Sequence, residues 1–185
     1  SPLIFWNARD GSFIKNGPSG RANELMTYVP GRSLYATCED VEIVLWDSAT
    51  DRKQASFPIR KGQVESGGCG GLVFSPDGSR LFSVSAGGVV DAWEIKTGGQ
   101  IPVSEIFAEN NQITPGVSAA VSNDSLWLAA GLMDRLVLWQ PDTGLPVLSM
   151  PIYEPPEKIL FTPGDQNLLT LGRGALRLWR QSDLN

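Results

Sequence analysis

Leu72-Val73-Phe74-Ser75-Pro76-Asp77-Gly78-Ser79-Arg80-Leu81-Phe82-Ser83-Val84, followed by Asp91-Ala92-Trp93, is the stretch that decides the fold. Two short apolar runs flank a Pro-Asp-Gly signal, whose residues supply the backbone angles of a tight turn, so the stretch reads as a β-hairpin. The tryptophan ends a third run. The same arrangement recurs outward in both directions. Leu3-Ile4-Phe5-Trp6, Val44-Leu45-Trp46, Val137-Leu138-Trp139 and Arg177-Leu178-Trp179 end similar segments, and the five tryptophans are spaced by 40, 47, 46 and 40 residues. Turn signals at Pro30-Gly31, Pro76-Asp77-Gly78, Asn123-Asp124 and Pro163-Gly164-Asp165 precede their tryptophans by 16, 17, 16 and 16 residues. Chance does not hold four intervals that closely. A second turn follows each tryptophan, at Asp10-Gly11, Ala49-Thr50-Asp51, Thr97-Gly98 and Thr143-Gly144, and a further strand such as Phe13-Ile14 or Leu145-Pro146-Val147-Leu148 comes next. Each unit is therefore four strands running up and down. No segment of a dozen residues carries a 3.6-residue apolar period, so helix is nearly absent.

Four-stranded units repeating every 40 to 47 residues are what propeller blades require. Phe74-Ser75-Pro76-Asp77-Gly78-Ser79-Arg80-Leu81 and Val44-Leu45-Trp46-Asp47 resemble the two best-known stretches of the WD-repeat family, and the resemblance covers residues 3 to 180. It implies an all-β, WD40-like β-propeller: one segment, residues 1–185, of about four four-stranded blades. The units end near Trp6, Trp46, Trp93, Trp139 and Trp179. The sequence also departs from the family. The Trp-Asp dipeptide is intact only at Trp46-Asp47, and the aspartate that the family often places six residues before the tryptophan is matched only by Asp40. Gly87, Met133 and Arg173 stand at the other such positions, and the histidine that would pair with the aspartate is missing throughout. The chain opens on the third strand of one blade and ends on the third strand of another, so part of a larger or two-chain ring is expected. Such a ring segment would leave two apolar blade faces open, carrying residues such as Leu3, Phe5, Ile159 and Leu169.

Composition narrows the function. The 185 residues include 15 basic and 20 acidic side chains, a formal charge of −5, and no histidine. An acidic balance does not suit nucleic acid, which calls for clustered Lys and Arg. Zero histidine removes the Ser-His-Asp and Cys-His nucleophile systems, histidine zinc sites and imidazole switches. Two cysteines, Cys38 and Cys69, are too few for a disulfide scaffold or a thiolate metal site, and read as buried or half-buried free thiols. No apolar run approaches the roughly 20 residues of a membrane span. The compartment stays open, with the cytoplasm favoured.

Few side chains suggest chemistry. Glu39-Asp40 and the pair Glu154 and Glu157 read as solvated loop acids, with nothing apolar around them in sequence to shift a pKa. Gly67-Gly68-Cys69-Gly70-Gly71 lacks the Lys-Ser/Thr and the helix of a phosphate cradle, and reads as a mobile loop entering a strand. Arg173, Arg177 and Arg180 read as a solvated face. Loop length is the stronger signal. The intervals from Trp46 to Pro76 and from Trp93 to Asn123 are 30 residues, against 24 for Trp6 to Pro30 and Trp139 to Pro163. The extra residues fall in 60–71 and 108–117, and long loops on a rigid scaffold are where recognition concentrates. Arg60, Lys61, Gln63, Glu65, Glu109, Asn110, Asn111 and Gln112 are therefore the candidate partner-binding residues. The resemblance implies a non-catalytic scaffold that binds a protein or peptide on its loop rim, with no cofactor, no metal and no catalytic residue. Self-association, or contact with the rest of a propeller, is a further expected partnership. A sensory or autoinhibitory module of a larger protein, and a carboxylate-based propeller enzyme, are the alternatives.

Overall fold

The computed structural model describes residues 4–17, 25–39, 42–60, 69–85, 87–103 and 117–180. These residues form strands and turns only, so no helix among them is long and apolar enough to cross a membrane. The strands fall into five antiparallel sheets. The first pairs β1 (Ile4–Trp6) with β2 (Phe13–Asn16). The second runs β3 (Met26–Tyr28), β4 (Leu34–Cys38), β5 (Glu42–Asp47), β6 (Arg52–Pro58). The third runs β7 (Cys69–Phe74), β8 (Arg80–Ser85), β9 (Val90–Glu94), β10 (Gln100–Ile101). The fourth runs β11 (Ser118–Val121), β12 (Leu128–Gly131), β13 (Arg135–Gln140), β14 (Leu145–Pro151). The fifth holds β15 (Lys158–Phe161), β16 (Asn167–Gly172) and β17 (Ala175–Arg180). Every sheet is a simple meander, and every turn signal read from the sequence lies between two of its strands.

The turn that opens the third sheet shows how the local chemistry works. The Ser75 hydroxyl donates to the Asp77 carboxylate at 2.6 Å, and the Ser79 and Arg80 amides donate to Asp77 and Ser75 at 3.0 and 2.9 Å. Gly78 sits at φ 67°, and a Cβ there would lie 2.6 Å from Val29 Cγ1 of the preceding sheet, so only glycine meets both demands. Ser122 and Asp124 repeat the device, with the Ser122 hydroxyl donating to Asp124 at 2.6 Å and the Trp127 amide to Ser122 at 2.9 Å. The Ser75 hydroxyl, then the Ser79 amide and hydroxyl, bring the Asp77 carboxyl down to about 2. Its folded value lies below the unfolded one, near ~3.9. The stabilisation is therefore present above pH ~4 and lost as pH falls towards 2. Asp77→Asn should lower the melting temperature at pH 6 by about 2–4 °C, as expected for roughly one hydrogen bond in a chain of this size. The gap to wild type should close between pH 4 and 2 in a melting series. A gap independent of pH would mean that the carboxylate charge is not what holds the turn.

The sheets stack through one contact used repeatedly. Apolar positions one and three residues before the tryptophan pack against the tryptophan-bearing face of the next sheet. Ile43 and Leu45 of the second sheet meet Leu72, Phe74, Leu81 and Trp93 of the third. Val90 and Ala92 meet Leu128, Ala130 and Trp139 of the fourth. Leu136 and Leu138 meet Ile159, Leu168 and Trp179 of the fifth. Phe5, one residue before Trp6, meets Tyr35 edge-on, with ring centres 6.0 Å apart. Trp93 and Trp139 are fully enclosed, whereas Trp46 and Trp179 are half-buried and donate their indole N–H to Thr37 and Thr170 at 2.9 and 3.0 Å. Trp6 is 58% exposed. In the first, second and fourth sheets the register slips by a bulge immediately before the tryptophan.

Two expectations are corrected. Phe5 and Ile159 do not lie on open faces: Phe5 packs on Tyr35 and Ile159 is buried between the fourth and fifth sheets. Leu169 is half-buried, and Leu3 lies outside the described residues. The exposed apolar side chains of the first and fifth sheets include instead Ile4, Trp6, Phe13, Ile14, Leu160, Leu171, Leu176 and Leu178. The cysteines are not free thiols. Cys38, at the end of β4, and Cys69, at the start of β7, form a disulfide with Cα atoms 6.3 Å apart. The pairing comes from stacking: neighbouring sheets bring these two strand ends together, and both residues are buried.

Candidate functional site

The first strands of the second to fifth sheets, β3, β7, β11 and β15, wall one groove of about 680 Å³. Its lining mixes apolar and polar groups, among them Tyr28, Val73, Ala120, Asn123, Lys158 and Leu160. The glycines that lead into β7 let these strands come close. A Cβ on Gly70 would lie 2.7 Å from Val117 Cγ2, and one on Gly71 would lie 3.1 Å from the Val117 carbonyl oxygen. The point where the chain returns after residues 61–68 is thus adjacent to the point where it returns after 104–116.

The end of the sheets that carries these returns also carries an ion pair on a buried carboxylate. The Arg60 guanidinium pairs with the Asp91 carboxylate, whose side chain is completely enclosed, and donates to the Val90 carbonyl at 2.6 Å. Gln100 donates its amide to the same carboxylate at 3.0 Å. Burial pushes the Asp91 carboxyl up, and the Arg60 charge offsets part of that. Asp91 stands two residues before Trp93, where the other sheets have Val44, Val137 and Arg177, and the face it occupies meets the second sheet. A carboxylate between two packed sheets needs a cation, and Arg60, leaving the second sheet just beyond β6, supplies it. Residues 61–68 therefore run between two fixed points, Arg60 on Asp91 and Cys69 on Cys38.

No known protein-family model matches the chain, and no curated protein sequence is significantly similar to it.

Of the candidate partner-binding residues, Arg60 is described, and the structure turns its head onto Asp91. Lys61, Gln63, Glu65, Glu109, Asn110, Asn111 and Gln112 lie outside the described residues, as does Asp40. Glu154 and Glu157 are exposed, and Arg173 and Arg177 are exposed on the fifth sheet. Cys69, read as part of a mobile loop, is instead buried and cross-linked. Sequence reasoning passed over Asp91. Its signal was a charge in a strand position that is valine in two other units.

Proposed function

We propose that this chain is a non-catalytic scaffold of the WD-repeat β-propeller type, which holds a protein or peptide partner on the rim where residues 60–69 and 103–117 leave and rejoin the sheets. The observation that carries the reading is the anchoring of that rim. Arg60 is tied to an enclosed carboxylate, Cys69 is tied to Cys38, and Gly70 and Gly71 pack directly on Val117 and Ala119. Fixed, adjacent attachment points reduce the ordering cost of binding, because less conformational freedom is left to lose. The four-strand meanders, repeated at the tryptophan spacing, support the propeller assignment.

Alanine substitution separates recognition from stability. One variant replaces Lys61, Gln63 and Glu65; a second replaces Glu109, Asn110, Asn111 and Gln112. A partner captured from native extract by the wild-type chain is purified and titrated calorimetrically against each. Affinity should fall at least about tenfold, equivalent to ~1.4 kcal/mol. Melting temperatures should move by less than about 2 °C, since surface changes away from structural features lie within ~0.5 kcal/mol. Undiminished binding by a variant carrying both sets would place the partner elsewhere and end this reading.

A further inference from the structure

Each internal junction between sheets has the same two halves. One is the face carrying the positions one and three before the tryptophan; the other is the tryptophan-bearing face of the next sheet. On the fifth sheet the first half is uncovered among the described residues. Leu176 and Leu178 are 67% and 50% exposed, although their counterparts Leu136 and Leu138 are 0% and 4% exposed. Leu171 and Leu160 stand beside them across the strands: Leu171 pairs with Leu176, and Leu169, next to Leu160, pairs with Leu178. Their alternation puts Leu160, Leu169, Leu171, Leu176 and Leu178 on one face, opposite Ile159, Leu168 and Trp179. On the first sheet the second half is uncovered among the described residues. Phe5 faces Tyr35, so Ile4 and Trp6 face away, and Phe13 meets Trp6 edge-on at 5.9 Å. Ile4, Trp6 and Phe13 are all at least half exposed.

We propose that these two faces are a donor and an acceptor for head-to-tail association of two copies of this chain, the leucine face of one seating on the Trp6 face of the next. The occupant follows from continuity with an existing interface. The two open faces are complementary halves of the contact that already joins the five sheets, and a second copy offers each the half that it lacks. The contact is heterologous, head to tail: two copies can use it twice and close a two-chain ring, or it can continue into larger rings or open chains. Large contiguous apolar faces are rare on monomers and mark interaction sites.

Sedimentation velocity tests the proposal on the whole chain and on two variants: Leu176→Glu with Leu178→Glu, and Ile4→Glu with Trp6→Glu. All four side chains are exposed, and circular dichroism checks that each variant folds. The concentration series runs from about 1 to about 100 μM, the range in which a modest interface titrates. The wild-type chain should form a dimer or larger species as concentration rises. Each variant alone should stay monomeric, and a 1:1 mixture should stop at heterodimer through the one intact pair of faces. The idea is overturned by a wild-type monomer across the series, by either variant self-associating alone (like faces meeting), or by a mixture that does not pair. If a charged pair unfolds its chain, Leu178→Ser and Trp6→Ser replace it with the same expectations.

Discussion

Trp93→Ala should destabilise the chain by about 3–5 kcal/mol, the range for deleting a large enclosed aromatic. Trp93 is 2% exposed and packs on Phe57 of the preceding sheet, with ring centres 5.5 Å apart. Its removal opens a cavity at the junction that also holds Ile43, Leu45 and Leu81. In a chain of this size, that cost corresponds to a fall in melting temperature of very roughly 6–20 °C. Trp6→Ala at the equivalent position should change stability by less than about 0.5 kcal/mol, because its ring is mostly exposed and loses little on truncation. Thermal unfolding of the two variants side by side makes the comparison. Equal losses, or none at Trp93, would show that the repeat position and not its covering sets the cost.

Opening the Cys38–Cys69 disulfide should cost about 3–4 kcal/mol, taking the chain-entropy estimate for a loop of this length. The bridge spans 31 residues and joins two different sheets, so the freed chain regains that loop entropy on unfolding. Cys38→Ala with Cys69→Ala should reproduce the loss and make the chain insensitive to reductant. Thiol titration in denaturant without reductant should find no free thiol, since the sequence has no other cysteine. Two titratable thiols together with a melting temperature indifferent to reductant would remove the cross-link from the account of stability.

The strand order was legible in the sequence because its signals are local. Pro-Gly and Asn-Asp turns, alternating apolar runs and evenly spaced tryptophans each report on a few neighbouring residues, and the two-, four- and three-strand grouping follows from counting them. Relations between sheets were not legible. Cys38 and Cys69 belong to different units, and only the way one sheet lies on the next brings their Cα atoms within bridging distance. The Asp91–Arg60 pair crosses the same junction and was hidden for the same reason. The faces taken as open were also misassigned at Phe5 and Ile159. A period-2 pattern tells which residues share a face, but which of the two faces a neighbour covers is decided in three dimensions. The bulge before Trp6, Trp46 and Trp139 belongs here too, since no residue type in those stretches announces it.

The junction between the second and third sheets carries an uneven share of the ties. It holds a covalent bridge, an ion pair on an enclosed carboxylate and the Phe57–Trp93 contact, whereas the junction between the fourth and fifth sheets adds to its apolar packing hydrogen bonds from Asn123 and Asp124 to the half-buried Asp165 carboxylate and from the Ile159 amide to the Ser118 hydroxyl. In a stack where each layer touches only its neighbours, unfolding proceeds as fraying along one dimension, and the weakest link opens first. Amides of β15 to β17 should then exchange with solvent through partial openings that leave β4 to β9 closed, with the second and third sheets behaving as one cooperative block.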